Sequence, residues 1–168
     1  MVRVKKKTVL IYGEGAHDCA FLTHLKNTYN KRDSPIAVQI KRGRGGSPLM
    51  VVAGALKVPG DYDTRVVKLD HDTSAAQLEE AITFAEEHSV EIIFSTPCLE
   101  HLLLDIVGDT RLTKIRRSST LKSTFESSYL NSAQRKEPKK YINHFSQSVL
   151  EEARHRIPEL DRLITLMT

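Results

Sequence analysis

The chain has 168 residues, 40% hydrophobic and 27% charged, enough for one domain with a packed core and too few for two. Its longest apolar stretch, around Cys98 to Val107, is broken by Glu100, His101 and Asp105, and the basic start runs into a short strand ending at Glu14; this predicts neither a membrane span nor a secretion signal, and a cytoplasmic location. Two cysteines, Cys19 and Cys98, make neither a disulfide framework nor a zinc site, and the formal net charge of +4 conceals a strongly uneven distribution.

Thr8–Tyr12 is apolar and β-branched and predicts a buried strand, ending at Gly13-Glu14-Gly15. Ala16–Tyr29 predicts a helix with Ala20, Phe21, Leu22 and Leu25 on its apolar face and Asp18 in its first turn. Ile36–Ile40 is a second predicted strand, followed by the basic, glycine-rich segment Lys41–Ser47. Ser47 as N-cap and Pro48 at the first helical position open a helix to about Lys57. After the turn at Pro59-Gly60-Asp61 comes a third strand, Thr64–Leu69, ending in Asp70-His71-Asp72. Ser74 caps an amphipathic helix with Leu78, Ile82 and Ala85 inward and Glu79, Glu80, Glu86 and Glu87 outward. Val90–Ser95 is a fourth strand, and a helix follows Pro97. Residues 108–140 are polar, Ser-rich and basic and predict a loop or loose insertion; Tyr141–Arg156 predicts a helix, and Pro158 opens a last short one.

Strands alternating with helices predict an α/β fold with a mostly parallel sheet covered on both faces. Ligands of such sheets bind beyond the carboxyl ends of the strands. Glu14, Asp70 and Asp72 are all predicted there. Three neighbouring carboxylates repel one another unless a cation lies between them, and an all-oxygen set suits magnesium or manganese, completed by water and substrate phosphate. An extended segment would put Asp70 and Asp72 on one side and His71 on the other. Glu100, at the start of the helix after the fourth strand, is a candidate further ligand or an ordinary first-turn acid.

Residues 1–58 carry 11 basic and 3 acidic side chains, residues 59–109 carry 2 and 12, and residues 110–140 carry 9 and 2. An acidic centre between basic flanks suits a site in which carboxylates hold metal while Lys and Arg grip a polyanion. Arg42 and Arg44 of the glycine-rich segment, with Arg111, Lys114, Arg116 and Arg117, are the candidate nucleic-acid contacts. The glycine-rich segment has neither the lysine nor the spacing of a nucleotide-binding P-loop.

The glutamate after the first strand, Gly13-Glu14-Gly15 with Asp18 and Phe21-Leu22 following, and the Asp70-His71-Asp72 pair after a later strand resemble the motifs of TOPRIM domains. Gly45-Gly46-Ser47-Pro48 and Ser95-Thr96-Pro97-Cys98-Leu99-Glu100 before Leu102-Leu103-Leu104 are most similar to the RloB-like proteins of restriction and phage-defence loci. The chain departs from those proteins in having Thr96 and Leu99 where they carry an asparagine and an aromatic residue, and in having no tryptophan. The resemblance covers about residues 7–107 and implies a single TOPRIM-like domain with a four-stranded, mostly parallel sheet, to which residues 108–168 add a basic loop and C-terminal helices. It also implies magnesium held by Glu14, Asp70 and Asp72, with Glu100 adding to the catalytic shell, and cutting of DNA or RNA phosphodiesters in phage defence. The second reading is a non-catalytic nucleic-acid-binding or regulatory subunit of a defence complex, with a protein partner or a second copy of the chain. A nucleotidyl or phosphoryl transferase is the third, and it lacks an identifiable nucleotide pocket.

Overall fold

Four strands form one sheet in the order β2-β1-β3-β4, and every neighbouring pair is parallel. They are β1 (Lys7–Gly13), β2 (Ile36–Arg42), β3 (Thr64–Asp70) and β4 (Val90–Ser95). The computed structural model describes residues 5–168; the first four residues of the basic start lie outside it. The α/β class is thus as the alternation of elements predicts, with the sheet wholly rather than mostly parallel.

The strand order fixes where the helices go. The step from β1 to β2 runs one way across the sheet, and the steps to β3 and β4 run the other way. Right-handed crossovers therefore put the first helix on one face and the next two on the opposite face. Accordingly α2 (Pro48–Lys57) and α3 (Ala75–Glu87) cover one face, where Val51, Val52, Ala55, Ala81 and Ala85 pack on Val67 and Leu69. On the other face α1 (Ala16–Tyr29) packs with α4 (Leu99–Ile106) and everything that follows, in a cluster that runs from Val9 to Met167. The C-terminal segment therefore shares the core of the sheet.

Three expectations are corrected. The buried stripe of α3 is Leu78, Ala81 and Ala85, whereas Ile82 is 36% exposed. Alanines at 81 and 85 let α3 lie close on the sheet and on α2, which rotates Ile82 out to the rim.

Residues 108–140 are structured. A 3₁₀ turn (Thr110–Lys114) leads to α5 (Ser118–Ser128), and a second 3₁₀ turn covers Gln134–Lys136. Leu121 and Phe125, four residues apart, share one helix face and enter the core with Leu130 and Arg135.

The predicted helix over Tyr141–Arg156 is interrupted. A 3₁₀ turn (Pro138–Asn143) precedes α6 (Gln147–Arg154), which starts where the Ser146 hydroxyl accepts from the Val149 amide at 3.4 Å. The break lets both Tyr141 and Phe145 reach Phe21, at ring-centroid distances of 5.8 and 6.0 Å. The last helix, α7 (Pro158–Thr165), starts at the predicted proline. No helix among the described residues is long and apolar enough to cross a membrane.

Candidate active site

The order β2-β1-β3-β4 reverses its direction of winding at β1. In open parallel sheets the crevice beside that reversal, at the carboxyl ends of the two inner strands, is where ligands bind. Here it lies between the ends of β1 and β3, and it holds Glu14 and Asp70. A cleft of about 450 Å³ opens there, lined on the sheet side by Glu14, Gly15, His17, Asp18, Asp70 and Glu100. Its outer wall is Lys122 and Glu126 of α5 with Arg135 and Lys136 of the following turn.

The loops that frame the cleft are tied to one another. Gly43 N donates to Gly13 O at 2.7 Å and Gly45 N to Glu14 O at 3.1 Å, so the glycine-rich segment is laid along the backbone that carries Glu14. A Cβ on Gly43 would sit 2.9 Å from Glu14 O and 3.0 Å from Gly13 O, both backbone atoms. Gly43→Ala is therefore expected to cost about 1–3 kcal/mol in thermal unfolding, as overpacking does. Gly15→Ala, where a Cβ meets nothing within 4 Å, should change stability little. Equal effects of the two would mean that the loop is not clamped. On the β3–β4 side, the His71 amide donates to both Ser95 O and Pro97 O at 2.9 Å.

Glu14 and Asp70 are joined through the backbone: Glu14 Oε2 accepts from the Asp70 amide at 3.2 Å. Asp70 Oδ1 accepts from the Leu99 amide at 2.9 Å, so Asp70 caps α4, whose own N-cap, Cys98, provides no side-chain bond. These bonds do not offset the loss of water. Burial pushes the Asp70 carboxyl up to about 8, and Asp18, Glu14 and Glu100 push the same way against Lys68. Burial also raises Glu14, aided by Asp18 and Asp72 and opposed by the Asp70 amide.

The other acids of the cleft lie beside internal cations, although at Asp18 and Glu159 burial outweighs Lys68 and raises both carboxyls. Lys68, which follows Val66 on the α1 face of β3, is 0% exposed. Its ammonium lies 3.9 Å from Asp18 Oδ1 and 3.5 Å from Glu159 Oε1 and donates to Ser95 Oγ, which donates to Glu159 Oε1 at 2.6 Å. Arg135, 1% exposed, forms an ion pair with Glu100, itself 3% exposed, and a second with Glu126 at 2.9 Å. Burial raises the Glu100 carboxyl, and the Arg135 guanidinium outweighs it and holds Glu100 below its ordinary value. Two oxygens facing this region have no hydrogen-bond partner, Asp18 Oδ1 and Glu100 Oε2.

The sequence-predicted residues divide accordingly. Glu14 and Asp70 come together. Asp72 does not join them in the cleft lining: β3 ends at Asp70, the period of two lapses there, and Asp72 is exposed. Its charge is still felt at Glu14 and Lys122. His71 is exposed and packs edge-on against Phe94 at 5.2 Å. Glu100 lines the cleft, but one of its oxygens is taken by Arg135.

Arg42 and Arg44 are exposed on the glycine-rich segment and form no ion pair among the described residues. Arg111, Lys114, Arg116 and Arg117 are exposed and do not line the cleft. Arg111 is held by Asp109, at 3.0 and 2.7 Å, and by the Ser128 hydroxyl. The cations that do reach the cleft, Lys122, Arg135 and Lys136, lie in the stretch read as a loose loop. Burial works against the Lys122 ammonium, but Glu100, Asp70 and Asp72 prevail and favour its charge. Lys68, Arg135 and Glu159 are not candidates from the sequence, whereas Asp18 is one, as the first-turn acid that accompanies Glu14. The one visible signal was a lysine inside an apolar strand, which needs buried partners.

Among the described residues, no three His, Cys, Asp or Glu side chains are grouped closely enough to hold a metal ion by themselves. The site therefore does not fit a closed protein cage of the calcium type. It does fit magnesium held by one or two carboxylates and otherwise by water and phosphate, since Glu14 and Asp70 are adjacent, half-buried and in no ion pair among the described residues. No family model, curated protein or solved structure compared with the chain matches it.

Proposed function

We propose that the chain is a magnesium- or manganese-dependent nuclease that hydrolyses phosphodiester bonds of DNA or RNA, a TOPRIM-type activity suited to phage defence. The observation that carries this reading is the pair Glu14 and Asp70. Two carboxyl groups without an ion pair, drawn together at the winding reversal of a parallel sheet, lie in a cleft whose outer wall carries Lys122 and Lys136. Such a pair is costly in a protein that makes no use of it.

Glu14 and Asp70 are the residues that would hold the divalent ion. When bound, such an ion polarises a phosphoryl oxygen and lowers the pKa of water to supply hydroxide. The chain's own part is to bind and orient the substrate. Lys122 and Lys136, on the wall opposite the carboxylates, attract the phosphate, and Arg42 and Arg44 extend the positive surface along the glycine-rich segment.

Plasmid, single-stranded DNA and bulk transfer RNA, each incubated with the protein in magnesium or manganese, test the reading. Cleavage that requires metal is expected, and Glu14→Gln or Asp70→Asn should lower its rate by about 10²-fold or more. Lys122→Ala/Lys136→Ala should weaken binding and flatten its salt dependence, because each phosphate contact adds to the salt slope. Intact substrates in both metals, with binding retained, would replace the nuclease by a binding subunit of a larger complex.

A further inference from the structure

Four acids around the cleft are already provided with positive charge by the protein. Lys68 serves Asp18 and Glu159, at 3.9 and 3.5 Å; Arg135 serves Glu100 and Glu126. Both cations are buried, at 0% and 1% exposure, and both are carried by rigid neighbours: Lys68 by the inner strand β3, Arg135 by a turn whose backbone carbonyl accepts from the buried Tyr141 hydroxyl at 2.9 Å. Buried charges that make several polar contacts do not leave their partners when a ligand arrives, since breaking such a pair costs several kcal/mol, about 3–5. Glu100, hydrogen-bonded to Arg135, is thus not available as a direct metal ligand, and a metal ion at Asp18 would be repelled by the Lys68 ammonium 3.9 Å from Oδ1. Of the acids that line the cleft, only Glu14 and Asp70 form no ion pair, and together, when ionised, they carry the charge that balances one divalent ion.

We infer that Lys68 and Arg135 stand in for a second metal ion, so that the cleft takes a single divalent cation, at Glu14 and Asp70. Asp18 and Glu100 then act in the layer behind the ligands. Asp18 is 8% exposed and Glu100 3%, and both line the cleft; Glu100 Oε2 has no hydrogen-bond partner, and neither has Asp18 Oδ1, from which the Lys68 ammonium stands off at 3.9 Å. A magnesium-like ion keeps several of its waters, and these are hydrogen-bond donors in need of acceptors. Acceptors of this second layer orient the bound waters and tune affinity, commonly by 10–100-fold when removed. Lys68 and Arg135 are positioning residues on this account. They fix the two acids in place and keep them from becoming ligands of another ion.

The inference rests on the metal-site reading given above, and counting bound metal separates the two. Mn²⁺ is titrated into the full chain by calorimetry, with free Mn²⁺ followed by electron paramagnetic resonance. One ion per chain is expected, lost in Glu14→Gln/Asp70→Asn. Two ions per chain would overturn the single-ion inference and leave the metal-dependent reading standing, whereas no binding would overturn both.

Lys68→Met/Glu159→Gln removes the internal cation together with one of its acids and leaves Asp18 bare beside the site. It should bind the first Mn²⁺ about tenfold more tightly or take up a second ion. Glu159→Gln alone is the control for folding and should still bind one ion. If the double variant unfolds, Lys68→Arg, which keeps the charge and hence the count of one, carries the test. A second ion in Lys68→Arg, or unchanged affinity and count in a folded double variant, would overturn the part assigned to Lys68.

Discussion

Replacing Asp70 by asparagine should make the metal-free protein more stable at alkaline pH while abolishing its proposed activity. The Asp70 carboxyl is raised from 3.8 to about 8 in the folded chain, mainly by burial and then by the repulsion of Asp18, Glu14 and Glu100 acting against Lys68. A raised value means that the folded state keeps this proton over a range in which the unfolded chain has lost it. The contribution to stability is therefore complete below about pH 4 and lost as the pH climbs through about 8. Asparagine does not titrate, and its carbonyl can still accept from the Leu99 amide, so the cap on α4 is retained. Wild type and variant should melt together near pH 4 in chelator. At pH 9 the variant should be more stable by about 2 kcal/mol, the shift being discounted for the water that reaches this half-buried side chain, or ~6 °C for a chain of this size. Magnesium should then reverse the order, raising the melting temperature of the wild type alone, because only the wild type has the charge to bind it. A variant less stable than wild type at pH 9 in chelator would mean that the charged Asp70 is favourable in the folded metal-free chain, so that it is not the uncompensated carboxylate that the metal reading needs.

Removing Arg135 should have the largest effect on stability. Its guanidinium and the Glu100 carboxylate are both buried, and the guanidinium also bonds Glu126. Arg135→Met would leave Glu100 charged in a site almost closed to water, at a cost of about 3–5 kcal/mol, or ~10 °C in melting temperature. The pH dependence has the opposite sense to that of Asp70. Glu100 is held below its ordinary value of 4.5 despite its burial, so its contribution to stability is present above about pH 4.5 and lost as the pH falls through the depressed folded value. The penalty of Arg135→Met should accordingly be full at neutral pH and shrink in acid. Adding Glu100→Gln should recover most of it at neutral pH, because a neutral amide needs no counter-charge. A fall of less than about 3 °C in the single variant, or no recovery in the double, would show that Arg135 acts by packing, for example against Phe125, and not by charge.

The two results bear on one site from opposite sides. Asp70 is a carboxylate to which the fold gives no ion pair, and Glu100 is one to which it does. Stability lost at the first is what a ligand would restore, and stability gained at the second keeps the wall of the cleft in place. This division explains why a chain with several acids near one sheet edge need not present all of them to metal.

The sequence alone determined the alternation of elements and hence the fold class. Its strands are mainly apolar, β-branched runs, as parallel strands covered on both faces tend to be, and its turns and caps, Ser47-Pro48, Pro59-Gly60 and Ser74, are local signals that require no knowledge of the rest of the chain. The same locality put Glu14 and Asp70 at strand ends, and the parallel sheet then brought them to one edge. What only the tertiary structure decided is how charge is shared around that edge. Asp72 left the group because β3 stops at Asp70, a boundary set by pairing with β4. Glu100 was matched by Arg135, 35 positions away, and Asp18 by Lys68, 50 positions away, pairings that no local pattern encodes. The outer wall of the cleft was equally illegible. Leu121 and Phe125 are two apolar residues in a polar stretch, too few to show a period, and they form a helix face only because the core behind α4 is there to receive them. Helix and strand follow from short-range patterns of apolar residues; the pairing of buried charges follows from which distant segments the packed core forces together.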